Sequence, residues 1–203
     1  MRKLGVVDFT TPSGYIGLVF LFFVLAIALY CCGQLGGLRE EESETRLETL
    51  FALPVSRTRW LAGRLVLAAL GATVIAVAAG TGAGIGTSAA GAHVSFLRLI
   101  EAGLNCLPAS LPFLGVGTLL YTASPRVGVG VAYALVSGAF IWELIGSLLG
   151  VPSWALGISP FHQIGFVPAA PFRALPAAAM PAIGATAALA GIARFRTRDL
   201  VGA

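Results

Sequence analysis

Residues Phe9–Leu38, FTTPSGYIGLVFLFFVLAIALYCCGQLGGL, contain no charged side chain. An α-helix rises about 1.5 Å per residue, so roughly 20 apolar residues cross a hydrocarbon core about 30 Å thick. This run is long enough to do so. Thr11 followed by Pro12 supplies a cap and a proline at the first helical position, which predicts a first span over about 12–33. Uncharged runs recur at Leu65–Leu97, Ala102–Pro125, Val127–Trp142, Leu144–Phe172 and Ala174–Ala193. The chain is 57% hydrophobic and 11% charged, with mean hydropathy +0.89, whereas soluble domains carry about 25% charged residues. These observations predict an all-α polytopic membrane protein. Arg2 and Lys3 are followed by Asp8 and a Thr-Pro turn with no small-residue cleavage site, so the first apolar run is expected to stay as a span.

The remaining spans follow from caps and breakers. Ser56 is placed to cap a helix beginning at Arg57, with Trp60 at the interface, which gives a second span over about 57–88. A third is predicted over 99–122, containing Pro108 and Pro112, which neighbouring helices allow in lipid. A fourth fits 127–149 and a fifth 175–193. Between them, VPSWALGISPFHQIGFVPAAPFRALP (Val151–Pro176) carries Pro152, Pro160, Pro168, Pro171 and Pro176, too many for one helix. Short re-entrant pieces are predicted there, about 154–158 and 161–166.

In this five-span arrangement Arg39, Arg46, Arg57, Arg59, Arg64, Arg126, Arg194, Arg196 and Arg198 share one side, against Arg2, Lys3, Arg98 and Arg173 on the other. The positive-inside rule then puts the chain in the cytoplasmic membrane with its N-terminus outside and its C-terminus inside. Translocating Arg2 and Lys3 opposes that bias, so a further upstream span is expected, missing from this chain or supplied by another.

Much of the charge lies in LREEESETRLETLFALPVSRTRW, Leu38–Trp60. Leu47, Leu50, Phe51 and Pro54 recur at helical spacing, with Glu40, Glu41, Glu44 and Glu48 on the other face. An amphipathic helix over about 39–54 follows. It is either a solvated surface helix or one offered to a protein partner; a lipid anchor is disfavoured, because its first half is acidic and anionic headgroups repel it.

EEESETRLETLFALPVSRTRW resembles the cytoplasmic segment of ABC-2 type exporter permeases, in which acidic residues precede a Glu-Leu-Leu stretch and then Pro-Val-Ser-Arg. VDFTTPSGYIGLVF, ISPFHQIGFVPAAPFRALP and a last span ending in FRTRDL are similar to the polyketide antibiotic, or tetronasin-type, exporter branch. The chain departs from the pattern at Glu44-Thr45, where the family carries glycine after its acidic cluster, and in lacking the first of the family's six spans per module. The resemblance implies a coupling helix in which Glu40, Glu41, Glu44, Leu47, Glu48, Leu50, Phe51, Pro54, Val55, Ser56 and Arg57 meet a separate P-loop ATPase. That subunit would carry ATP and Mg, and a second permease half, or a second copy, would face this one around the transport path. The implied function is export of amphipathic, antibiotic-like or lipid-like molecules. The alternative is a non-transporting scaffold, or degenerate half-module, that recruits a cytoplasmic partner through the same helix.

Catalytic and metal chemistry find little to work with. A P-loop needs a lysine after its glycines, and the only lysine is Lys3. GTGAGIG, Gly80–Gly86, lies within a span, where Gly80 and Gly84, or Gly82 and Gly86, are expected to allow close helix packing; Gly146 and Gly150 repeat that spacing. Cys31, Cys32, Cys106, His93 and His162 show no zinc spacing, and no His-Glu-x-x-His motif occurs. No metal, bound cofactor, enzymatic activity or nucleic-acid partner is expected. Glu101, Asn105, Glu143 and His162 all fall near the external end, either as interfacial groups or as a polar outer gate, with Arg98 one turn from Glu101 and able to pair with it.

Overall fold

The computed structural model describes residues 12–43, 56–92, 94–163 and 172–197. Its helices are α1 (Pro12–Ser43), α2 (Arg57–Ala89), α3 (Phe96–Leu104), α4 (Leu107–Ala123), α5 (Gly128–Leu149), α6 (Ser153–Leu156), α7 (Pro160–Gln163) and α8 (Ala174–Thr197), and no strand occurs among the described residues. Among the described residues five stretches are long and apolar enough to cross a membrane: Tyr15–Glu42, Arg57–Ala89, Phe96–Ala123, Gly128–Gly146 and Ala174–Thr197. The protein is an all-α polytopic membrane protein. Leu67, Leu70 and Val74 on α2 and Leu175 and Leu189 on α8 are exposed, as helices facing lipid require.

The helix α4 is the centre of the bundle, packed against α1, α2, α5, α7 and α8. Its most extensive contact is with α8, which runs parallel to it. The backbones nearly touch. A Cβ added at Gly115 would collide with the Gly184 carbonyl, one at Gly184 would lie 2.8 Å from Leu111 O, and one at Gly191 would lie 3.0 Å from Thr118 Cγ2. Against α1, the Ser110 hydroxyl donates to Val24 O at 3.2 Å. The α2–α3 hairpin closes in the same way, since a Cβ at Gly80 would lie 2.7 Å from Leu99 O, one at Gly84 would strike the Phe96 ring, and one at Gly103 would strike Ala76 O. Such approaches supply the van der Waals contact that holds helices together where no hydrophobic drive exists between them.

The elements differ from the expected ones at several places. Instead of ending near Gly33, α1 continues to Ser43, so Arg39, Glu40, Glu41 and Glu42 ride on the first membrane helix and do not begin a separate coupling helix. The rest of that expected helix, with Glu44, Leu47, Glu48, Leu50, Phe51, Pro54 and Val55, lies outside the described residues. The third span is broken at Asn105–Cys106 into α3 and α4. Pro108 accounts for the break, because its ring lacks an N–H and would clash with the carbonyl of Leu104, the last residue of α3. The final helix runs past Ala193 through Arg194 and Arg196 to Thr197. The re-entrant pieces are single turns at Ser153–Leu156 and Pro160–Gln163, and 164–171 fall outside the described residues. Gly150 ends α5 in the left-handed conformation, at φ +70, with nothing within 4 Å of an added Cβ. It is a helix stop and not a packing position; its partner in spacing, Gly146, lies against Leu156, at 2.7 Å from a Cβ added there.

Candidate functional site

Polar and aromatic side chains gather at the two ends of the bundle. At one end, which carries Arg39, Arg57, Arg59, Arg64, Arg126, Arg194 and Arg196, the last turn of α1 is held by its carboxylates. Arg64 of α2 donates to Glu41 Oε1, and the buried Tyr121 hydroxyl of α4 donates to Glu42 Oε2 at 2.7 Å. Trp60 stacks on Phe195 of α8 with ring centroids 6.1 Å apart, Phe195 meets Tyr121 at 6.4 Å, and the Arg64 guanidinium lies 5.9 Å from the Trp60 ring. The ion pair is partly exposed, 42% at Arg64 and 24% at Glu41, so it contributes only about 0–1 kcal/mol. The bond to Glu42 joins a fully buried donor to a carboxylate, a type worth about 1.5–3 kcal/mol. Ser56 borders the next helix, with the Arg59 amide donating to its hydroxyl at 3.4 Å and Arg57 opening α2.

At the opposite end α7 lies against α4 and α5. Phe161 is fully buried between Phe113, at 5.7 Å, and Phe140, at 5.8 Å between ring centroids. Next to it, His162 Nδ1 stands 3.0 Å from Glu143 Oε1, with the Glu143 side chain 2% exposed. Glu143 Oε2 is buried without a hydrogen-bond partner. The segment is pinned further by Trp142, whose indole N–H donates to Ala155 O at 3.2 Å, and by Ser159, whose hydroxyl donates to Ala139 O at 3.2 Å.

Of the expected outer-gate residues, Glu143 and His162 are brought together. Asn105 is buried at the α3–α4 break, and Glu101 is exposed on α3 outside the hydrogen bonds of that pair. The Arg98–Glu101 ion pair is not formed; both side chains are exposed, where a pair gains too little to fix two long side chains.

Residues 2–196 match the family described as multidrug efflux system permease Rv1217c, C-terminal domain. The chain belongs to this family. It is 31% identical over 190 residues to the multidrug efflux system permease protein Rv1217c of Mycobacterium tuberculosis (strain ATCC 25618 / H37Rv), a match covering 93% of this chain and 34% of that protein. The chain thus spans about a third of the length of that relative. That relative is described as a permease of a multidrug efflux system.

Several residues that organise this Rv1217c-type domain escaped the sequence reading. Tyr121, Phe113 and Phe140 are aromatics in apolar runs, Phe161 lies between Pro160 and His162 and Phe195 between Arg194 and Arg196, and nothing at these positions announces partners many residues away. Gly184 and Gly191 did leave a signal: seven residues apart, they fall on one helix face, which is the face that meets α4.

Proposed function

We propose that this Rv1217c-type domain is the permease part of an ABC-2 type exporter, of the polyketide-antibiotic branch, moving amphipathic small molecules out across the cytoplasmic membrane. A separate P-loop ATPase, binding ATP and Mg, drives it, and a second permease half or a second copy completes the transport path. The observation that carries the reading is the tie between Glu41 and Arg64 and between Glu42 and Tyr121. These bonds lie beside the charged segment that joins α1 to α2. A subunit that seats Leu47, Leu50 and Phe51 in a groove and shifts them pulls on α1, α2 and α4 together, a local displacement converted to movement of packed helices. The many arginines at that end support a cytoplasmic position for it. The same reading makes Glu143 and His162 part of the outward gate.

Leu50 and Phe51, if fully desolvated in such a groove, would each contribute roughly 1.5–3 kcal/mol, whereas the exposed glutamates set register at about 0–1 kcal/mol each. The test is co-expression of the full-length protein with a candidate P-loop ATPase subunit. Leu50→Asp with Phe51→Asp is expected to abolish co-purification and substrate-stimulated ATP hydrolysis while insertion continues. An undiminished complex would overturn the assignment.

A further inference from the structure

Between α1 and α2, at the arginine-rich end, lies a cavity of about 140 Å³. Gly33 and Gly37 of α1 line it, one turn apart; a Cβ added at Gly37 meets nothing within 4 Å, whereas one at Gly33 would lie 3.5 Å from the Tyr133 hydroxyl of α5. Gln34 and Glu41 border it from the same helix, Arg64 and Leu67 from α2. Glu41 gives one oxygen to Arg64, while Oε2 is buried with no hydrogen-bond partner. A buried carboxylate oxygen calls for a donor. Leu67, besides lining the cavity, is exposed on the outside of the bundle, and Leu70 and Val74 continue its helix face.

We propose that this cavity binds the head of an amphiphile bearing a protonated primary amine, with the ammonium on Glu41 Oε2 and the apolar tail along Leu67, Leu70 and Val74. An ammonium is compact and donor-only, which matches an acceptor lacking a partner, and the bond is charge-assisted. The volume suits a head and no more, being close to that of a cavity of about 150 Å³ that takes benzene. A calcium ion is a poor fit, since it takes about 6–8 oxygen ligands and the wall includes Leu35, Leu38, Leu65 and Ala68. The amine belongs either to a phospholipid headgroup or to a free amphipathic amine. The site depends only on the cavity and Glu41 and stands apart from the assignment as an exporter.

The test is binding to the purified full-length protein, by native mass spectrometry and thermal stability, of phosphatidylethanolamine, phosphatidylcholine, phosphatidylglycerol and dodecylamine. The first and last carry the primary amine; phosphatidylcholine keeps the phosphate but has no N–H, and phosphatidylglycerol has no amine. At least one primary amine is expected to bind about tenfold more tightly than phosphatidylcholine and phosphatidylglycerol. Glu41→Gln is expected to erase that preference. Gly37→Leu, which fills the cavity from a position with room for a side chain, is expected to block amine binding and serves even if the glutamate variant does not fold. Stronger binding of phosphatidylethanolamine makes the membrane lipid the occupant; stronger binding of dodecylamine makes it a free amine. Equal binding of all four, or an amine preference that survives Gly37→Leu, overturns the proposal.

Discussion

His162 Nδ1 lies 3.0 Å from Glu143 Oε1, joining the single-turn helix α7 to the far end of α5. The residue before it, Phe161, is enclosed by Phe113 and Phe140, so a polar latch and an apolar plug are adjacent on one turn. The two depend on each other. Phe161 places the imidazole next to a carboxylate that is otherwise sealed from solvent, and the imidazole is the group that partners it.

His162→Ala leaves both oxygens of Glu143 without a partner in a buried site, which costs about 1–3 kcal/mol. Glu143→Leu in the same chain removes the stranded carboxylate, so the double variant is expected to be more stable than His162→Ala alone. Unfolding of the detergent-solubilised protein gives the comparison. A double variant whose loss equals the sum of the losses of His162→Ala and Glu143→Leu would mean that the pair is not coupled.

Gly115 and Gly82 are both glycines within membrane helices, yet a Cβ at Gly115 collides with the backbone of Gly184 and one at Gly82 meets nothing within 4 Å. Gly115→Ala is therefore expected to destabilise the protein by about 1–3 kcal/mol or more through overpacking. Gly82→Ala is expected to be neutral or to stabilise by up to about 1 kcal/mol through helix propensity. Thermal unfolding of both variants side by side is the measurement, and equal losses would mean that α4 and α8 do not pack as described.

The orientation proposed from the arginines is tested with cysteines, because Cys31, Cys32 and Cys106 are all buried and contribute little background. Val127→Cys sits at the arginine-rich end and Ala90→Cys beyond the far end of α2, both at exposed positions. An impermeant maleimide applied to intact cells is expected to label Ala90→Cys and to reach Val127→Cys only after the membrane is opened. The reverse pattern would invert the topology.

The spans were legible because lipid imposes one requirement on every crossing helix: a long run without charge, which Phe9–Leu38 and Leu65–Leu97 show openly. Prolines were legible to a point. Those between Val151 and Pro176 announced short pieces in place of one helix, but Pro108 was read as tolerated inside the third span, where it coincides with a break. The end of α1 was not legible at all. Gly33, Gly36 and Gly37 invite a stop, and the helix continues to Ser43, where Arg64 and Tyr121, remote in sequence, bond Glu41 and Glu42.

The sequence by itself determined that this chain is a bundle of membrane helices with its charge concentrated at one end, because hydropathy and charge are properties each residue carries locally. Only the tertiary structure decided which small residues become contacts and which polar residues meet. Gly80 and Gly82 are equivalent in the sequence, but one faces α3 and the other open space. Glu143, Glu101 and His162 were equal members of an expected gate until packing of α7 on α5 joined Glu143 to His162 and left Glu101 exposed. The direction a helix face points is set by its neighbours, and in lipid, where apolar residues cover every face, its own pattern says little about which face that is.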